Sequence, residues 1–162
     1  MRYLTTLIVV SVASLGFCAD QDQAPPKALN GRWAPETAVM AGKAFPDEVR
    51  KSIHLTLLNG KYTVKDGDQV DQGTYTVDES KTPKTITIVG TKGANQGKTI
   101  LAIYEQDKTT LKVCYDMSGK AFPTKFESTE GSQLFLASYH REKGRGKRPM
   151  RAAGEALPPK SE

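Results

Sequence analysis

Apolar and polar residues alternate with a period of two along most of this chain, and this alternation constrains its fold more than any other feature. In the segment IHLTLL, Ile53, Leu55 and Leu57 share one face while polar residues occupy the other. GKYTV, GTYTVD, TITIV and TLKVCY repeat the pattern, and turn residues such as Asn59-Gly60 separate the segments. Because the side chains of a β-strand point alternately to its two faces, the pattern predicts antiparallel strands joined by tight turns.

The number and spacing of these segments predict an all-β fold. About eight strands, spaced roughly ten residues apart, favour an antiparallel meander closed into a small barrel, since closure removes exposed sheet edges. One short helix is predicted after the first strand, at residues 46–52, because Pro46 suits a first helical position and acidic, then basic, residues follow it. The segment KTILAIYE is apolar on both faces, which predicts that other parts of the chain cover both.

Residues 1–19 are predicted to be a secretory signal peptide. Arg2 supplies the positive start, an apolar stretch covers residues 4–12, and small residues follow. That stretch is shorter than the roughly 20 residues that span a bilayer, so no transmembrane segment is expected in the mature chain. Cleavage after Ala19 places the large Phe17 three residues before the cut, whereas cleavage after Gly16 places Ser14 there. Either cut predicts a periplasmic, cell-envelope or extracellular protein.

The number of cysteines in the mature chain depends on this cleavage. A cut after Ala19 leaves Cys114 alone, while a cut after Gly16 leaves Cys18 and Cys114, which could pair in an oxidising compartment. Lipid attachment at Cys18 is a third alternative, which the large Phe17 before it disfavours. The simplest interpretation of Cys114 is a small, buried, apolar residue in a strand.

Charge divides the rest of the chain. Residues 20–28 are polar, contain proline and are predicted to be a linker, and residues 29–140 are the predicted barrel domain. Residues 28–140 hold 14 basic and 13 acidic residues, whereas residues 141–162 hold seven basic and three acidic ones and are predicted to be a disordered tail. Such a tail could attach to an anionic envelope surface, and export argues against nucleic acid as a partner. The basic residues proposed for this contact are Arg141, Lys143, Arg145, Lys147, Arg148 and Arg151.

Three patterns suggest chemistry at first sight, and none is complete. GANQGKT looks like a phosphate-binding loop, but Lys92 occupies the position of the first glycine and a strand pattern follows, so a hairpin turn is predicted. Asp66, Asp68 and Asp71 lack the order of a calcium loop, and the two histidines are too few for zinc. We therefore expect neither catalysis nor a cofactor nor a metal.

Leu29-Asn30-Gly31-Arg32-Trp33 opens the predicted domain, and GKYTV, GTYTVD, TPKTITI, GKTILAIYE, LKVCY and FPTKF follow in order. By their order and spacing these segments resemble a family of small secreted domains of unknown function that is abundant in planctomycete genomes and similar to lipocalins in presumed fold. The resemblance covers residues 29–140. It departs from the family at Phe122, where members tend to have Arg before the proline.

The similarity to lipocalins implies a specific contact at one end of the barrel. In that fold a Trp from a G-x-W sequence on the first strand packs under an Arg from near the last strand. Gly31-Arg32-Trp33 and Arg141 match these positions, so the resemblance implies that Trp33 and Arg141 pair. The alternative is that Trp33 is an ordinary core residue and that Arg141 begins the tail.

The predicted interior decides between two functions. Its residues are mostly bulky, which predicts a filled core and favours a non-enzymatic interaction or structural module. The alternative is a carrier of a small apolar ligand, whose candidate lining residues are Tyr62, Tyr75, Tyr104, Tyr115, Phe122 and Phe126. The other residues predicted to point inward are Ile53, Leu55, Leu57, Val64, Val77, Ile86, Ile88, Leu111, Val113, Leu134 and Leu136.

Overall fold

The structure, a computed structural model, describes residues 25–143. They form nine strands, one short α-helix and one turn of 3₁₀ helix. In chain order these are the 3₁₀ helix Lys27–Leu29, β1 Gly31–Met40, β2 Lys43–Ala44, α1 Asp47–Ser52, β3 Ile53–Leu58, β4 Lys61–Asp66, β5 Gln69–Asp78, β6 Lys84–Lys92, β7 Thr99–Gln106, β8 Thr110–Asp116 and β9 Leu134–Arg141.

The strands form a closed antiparallel barrel. Their order is β1-β3-β4-β5-β6-β7-β8-β9, and β1 also pairs with β9, which closes the sheet. The two-residue strand β2 pairs only with the end of β1 and lies outside this ring of eight. The predicted all-β fold, the barrel closure and the short helix are confirmed.

The turns follow the sequence as expected. Asn59 and Gly60, with φ of 47° and 76°, join β3 to β4, as the Asn-Gly pair predicts. GANQGKT joins β6 to β7. It is not a phosphate-binding loop, because a strand and not a helix follows it.

One end of the barrel, hereafter the closed end, is plugged by side chains. It is formed by the start of β1, the end of β9 and the β3–β4, β5–β6 and β7–β8 turns, and the 3₁₀ helix packs against it. Leu29, Trp33, Tyr75, Tyr104 and Leu111 are at most 2% exposed there. Burial of a large side chain contributes roughly 1.5–3 kcal/mol, so this plug is a main source of stability.

The strand predicted at residues 122–126 does not form. Residues 117–133 instead cross the outer face of β7 and β8 as an irregular segment, and Pro123, which lacks a backbone N–H, is buried in it. The Cys114 thiol, 0% exposed, donates to the Glu127 carbonyl oxygen at 3.4 Å, and Ile103 is 1% exposed. The prediction that both faces of KTILAIYE are covered is therefore confirmed.

The predicted orientation of β9 is wrong. Leu136 lies beside the outward-facing Cys114, and the inward residues are Phe135, Ala137 and Tyr139, not Leu134 and Leu136. Both faces of this strand are apolar, so alternation alone could not distinguish them. The strand pairing decides the orientation.

Candidate functional site

A cavity of about 800 Å³ extends from the plug at the closed end to the opposite, open end of the barrel. This open end is bordered by α1, the β4–β5 turn, the β6–β7 loop and the start of the irregular segment 117–133, hereafter the β8–β9 segment. Its wall is mainly apolar and includes Met40, Phe45, Ile53, Val64, Val70, Ile88, Val113, Tyr115, Met117 and Phe135.

The expected filled interior is therefore wrong for the open-end half. Inward positions there include medium-sized residues such as Val64 and Ile88, whereas Trp33, Tyr75 and Tyr104 fill the closed end. Gly73 and Gly90, which pair with each other across β5 and β6, contribute no side chain at all. Eight strands leave enough width for one small ligand unless side chains fill it.

The Tyr62 side chain and the β6–β7 loop occupy the space beside the two glycines. A Cβ on Gly73 would lie 2.5 Å from the Tyr62 ring, and a Cβ on Gly90 would overlap the Asn95 carbonyl. These close approaches require glycine at both positions. The loop is therefore part of the cavity wall.

Asp71 fixes this loop at the rim of the cavity. Its carboxylate accepts hydrogen bonds from the Tyr62 hydroxyl at 3.1 Å, the Asn95 backbone N–H at 3.0 Å and the Asn95 side-chain amide at 2.8 Å. Asp66, the other acidic lining residue, accepts a hydrogen bond from the Ser52 hydroxyl. These contacts join α1, β4, β5 and the β6–β7 loop around the opening.

Tyrosines supply the remaining polar atoms of the interior. The Tyr115 and Tyr139 hydroxyls lie 3.2 Å apart, and those of Tyr75 and Tyr104 are buried without a hydrogen-bond partner in the described part of the chain. Burial raises the pKa of all five tyrosines in residues 25–143, that of Tyr139 to about 12. These phenols stay neutral at physiological pH.

Four of the six predicted ligand-lining residues line the cavity: Tyr62, Tyr75, Tyr104 and Tyr115. Phe122 and Phe126 do not, because both belong to the irregular segment outside the barrel. Phe122 is 40% exposed, and the Lys112 ammonium lies 5.0 Å from the Phe126 ring centroid. Met117, Phe45 and the Asp71–Asn95 contact were missed, because loops carry no periodic signal.

Trp33 and Arg141 meet at the closed end, with the guanidinium carbon 4.1 Å from the ring centroid. The Arg141 side chain also donates to the carbonyl oxygens of Ala28, Asn30 and Lys108 at 2.6, 2.6 and 3.0 Å. Arg141 is thus the last residue of the barrel and not the first of the tail. This position also removes Arg141 from the residues available for an anionic surface.

The other residues considered for chemistry are separated or already paired. Cys114 lies under the β8–β9 segment, while His54 on β3 contacts Glu142 at 2.9 Å, and β9 and β1 lie between their strands. Within residues 25–143 no group of three or more His, Cys, Asp or Glu side chains could hold a metal ion. No helix in this part of the chain is long and apolar enough to cross a membrane. Cys18 and residues 144–162 lie outside the described residues.

Comparison of the chain with protein-family models, with curated proteins and with solved structures finds no match. The functional argument therefore depends on the geometry of the cavity.

Proposed function

We propose that this protein binds a small, mainly apolar molecule in the cavity at the open end of the barrel. The observation that carries this proposal is the cavity of about 800 Å³ with its apolar wall. Sites for small molecules typically measure roughly 300–1,000 Å³ and are lined by apolar and aromatic side chains with a few polar groups. A cavity of this size makes the carrier the first candidate function, ahead of the interaction module.

The wall residues explain how such a ligand would be held. Ile53, Val64 and Ile88 line the cavity, so an apolar occupant would gain dispersion contacts with them. The charged and amide groups of the wall, among them Asp66, Asp71 and Asn95, lie at the opening, and the polar atoms deeper inside are neutral tyrosine hydroxyls. A bound molecule would therefore place its apolar part inward and any polar group at the rim.

Filling the cavity should abolish binding. We expect wild-type protein to bind the neutral fluorescent compound N-phenyl-1-naphthylamine with an increase in its fluorescence, and Ile88→Trp to weaken this binding about tenfold or more, because the indole would occupy the site. Val89→Trp is the matched control, since Val89 is the next residue of β6 and is 41% exposed on the outer face. Binding by folded Ile88→Trp at wild-type strength, or none by folded wild type, would contradict the proposal.

The second candidate function is attachment to an anionic surface of the cell envelope. It is supported by the predicted signal peptide and by the basic residues after the barrel, namely Lys143, Arg145, Lys147, Arg148 and Arg151. Lys and Arg side chains attract anionic lipid without sequence specificity, and salt screens this attraction.

Truncation tests this attachment. The full-length protein is expected to co-sediment with phosphatidylglycerol vesicles at low salt, and a chain ending at Lys143 to lose most of that binding. A cut at this point keeps Arg141 and Glu142, whose backbone N–H donates to the Arg32 carbonyl oxygen, in the barrel. Equal vesicle binding by both chains would show that the tail does not cause the attachment. The mass of protein isolated from its host shows whether it begins after Gly16 or Ala19, or carries lipid on Cys18.

A further inference from the structure

We infer that the cavity favours ligands with a neutral or cationic polar group and excludes carboxylate amphiphiles such as fatty acids. This inference rests on the proposed function, because it concerns the class of molecule that the same cavity takes. It is argued from the two carboxylates at the opening and from a described cavity wall that contains no Lys, Arg or His.

The charged residues that line the described cavity are all acidic. They are Asp66, the last residue of β4, and Asp71, near the start of β5, while no Lys, Arg or His is among the lining residues. Neither carboxylate takes part in an ion pair within residues 25–143. Among residues 25–143, the opening therefore carries negative charge without an ion-pair partner.

Neutral groups hold both carboxylates in place. Asp71 accepts from one hydroxyl and two amide N–H groups, and Asp66 accepts from the Ser52 hydroxyl. Arg50 on α1 is not among the lining residues, and its guanidinium binds the Asp47 carboxylate and the Pro35 carbonyl oxygen.

The position of these groups determines what a bound amphiphile meets. An apolar chain inside the cavity brings its polar end to the opening, beside Asp66 and Asp71. A carboxylate there would face two like charges next to an apolar wall, with no Lys, Arg or His among the lining residues to replace its water. An amine could donate to either aspartate, and an alcohol would meet no repulsion.

Three compounds of equal chain length test this selectivity. Decylamine, decanol and decanoate would each compete with N-phenyl-1-naphthylamine for the wild-type protein at neutral pH and low salt. We expect decylamine to bind at least as tightly as decanol, and decanoate about tenfold more weakly or worse, because like charges at the opening repel it. Salt should reduce the difference.

Asp66→Asn tests the source of the selectivity. It removes one charge at the opening with nearly the same shape and should strengthen decanoate binding severalfold relative to decanol. Asp68→Asn is the matched control, because Asp68 is an exposed acid of the same turn that does not line the cavity. Circular dichroism and thermal unfolding of both variants verify that they fold.

The outcomes separate the two proposals. If decanoate binds wild-type protein as tightly as decanol does, the selectivity is wrong while the cavity remains a ligand site. If Asp66→Asn and Asp68→Asn change decanoate binding equally, the charge at the opening is not the source of the selectivity. If the fluorescent compound binds but none of the three compounds displaces it, the proposed selectivity is wrong. If the fluorescent compound itself does not bind, the proposed function fails.

Discussion

Replacement of Arg141 by Ala is expected to lower the free energy of unfolding by about 3–5 kcal/mol. The guanidinium binds three backbone carbonyl oxygens, those of Ala28, Asn30 and Lys108, and covers the Trp33 ring. Hydrogen bonds from a charged donor contribute about 1.5–3 kcal/mol each, and a cation over an aromatic ring about 0.5–2 kcal/mol. Their loss would loosen the contact between the 3₁₀ helix and the last strand.

Arg141→Lys distinguishes geometry from charge. An ammonium cannot reach three separate carbonyl oxygens while lying over the indole, so we expect it to recover less than half of the lost stability. Lys143→Ala is the control for removal of one positive charge, because Lys143 is exposed. Urea unfolding followed by the fluorescence of Trp33, the single tryptophan, measures all three variants.

Gly31→Ala adds an independent check on this contact. A Cβ on Gly31 would overlap the Arg141 guanidinium, so the substitution should destabilise the wild-type barrel. In an Arg141→Ala background this clash is gone, so Gly31→Ala should lower the free energy of unfolding by less. Additive effects, or an Arg141→Ala variant within about 1 kcal/mol of wild type, would contradict the proposed role of Arg141.

The second large effect is expected at alkaline pH. The pKa values of Tyr62, Tyr75, Tyr104, Tyr115 and Tyr139 are raised above the ordinary value of about 10, with burial as the largest cause. Since the unfolded chain ionises first, their stabilisation is fully present below about pH 10 and is lost as the pH rises towards the folded pKa, which is about 12 for Tyr139.

The size of this loss predicts cooperative alkaline unfolding. Above about pH 10, each tyrosine that stays protonated only in the folded state lowers the free energy of unfolding by about 1.4 kcal/mol per pH unit. Five such tyrosines together would approach a typical stability of about 5–15 kcal/mol. Ultraviolet absorbance should therefore show these five phenols ionising together with the loss of the near-ultraviolet circular dichroism. Tyr3, outside the described residues, would titrate separately if it is retained.

Two conservative variants test this explanation. Tyr104→Phe removes a buried hydroxyl without a partner in the described residues, so it should keep or raise stability at neutral pH and move the alkaline midpoint upward. Tyr115→Phe also removes one ionisable group but breaks the contact with the Tyr139 hydroxyl, so it should cost stability at neutral pH. Ionisation of all tyrosines near pH 10 in a folded protein would refute the burial argument.

The fold could be predicted where one face of a strand is apolar and the other polar. β3 is such a strand, and Leu55 and Leu57 point inward as expected. In β9 both faces are apolar, and the predicted orientation was reversed because the pairing with β8, not the pattern, determines which face is inside. Residues 122–126 show the same limit, since the alternation of Phe122 and Phe126 resembles a strand although the segment lies outside the barrel.

The candidate site could be predicted only in part, for the same reason. Tyr62, Tyr75, Tyr104 and Tyr115 were predicted as interior residues, because they lie in regular strands. The cavity itself could not be predicted, since a list of bulky residues does not say at which height each side chain lies. The structure places Trp33, Tyr75 and Tyr104 at the closed end and the glycine pair Gly73 and Gly90 near the open one.

The sequence by itself determined most of the strands and the tight turns, because period-two alternation and turn residues are local signals. Only the tertiary structure decided the orientation of β9, the irregular cover over Cys114, the pairing of Trp33 with Arg141 and the acidic opening of the cavity. These features join residues far apart in the chain. Strand register and barrel closure bring them together, and neither can be read from a local pattern.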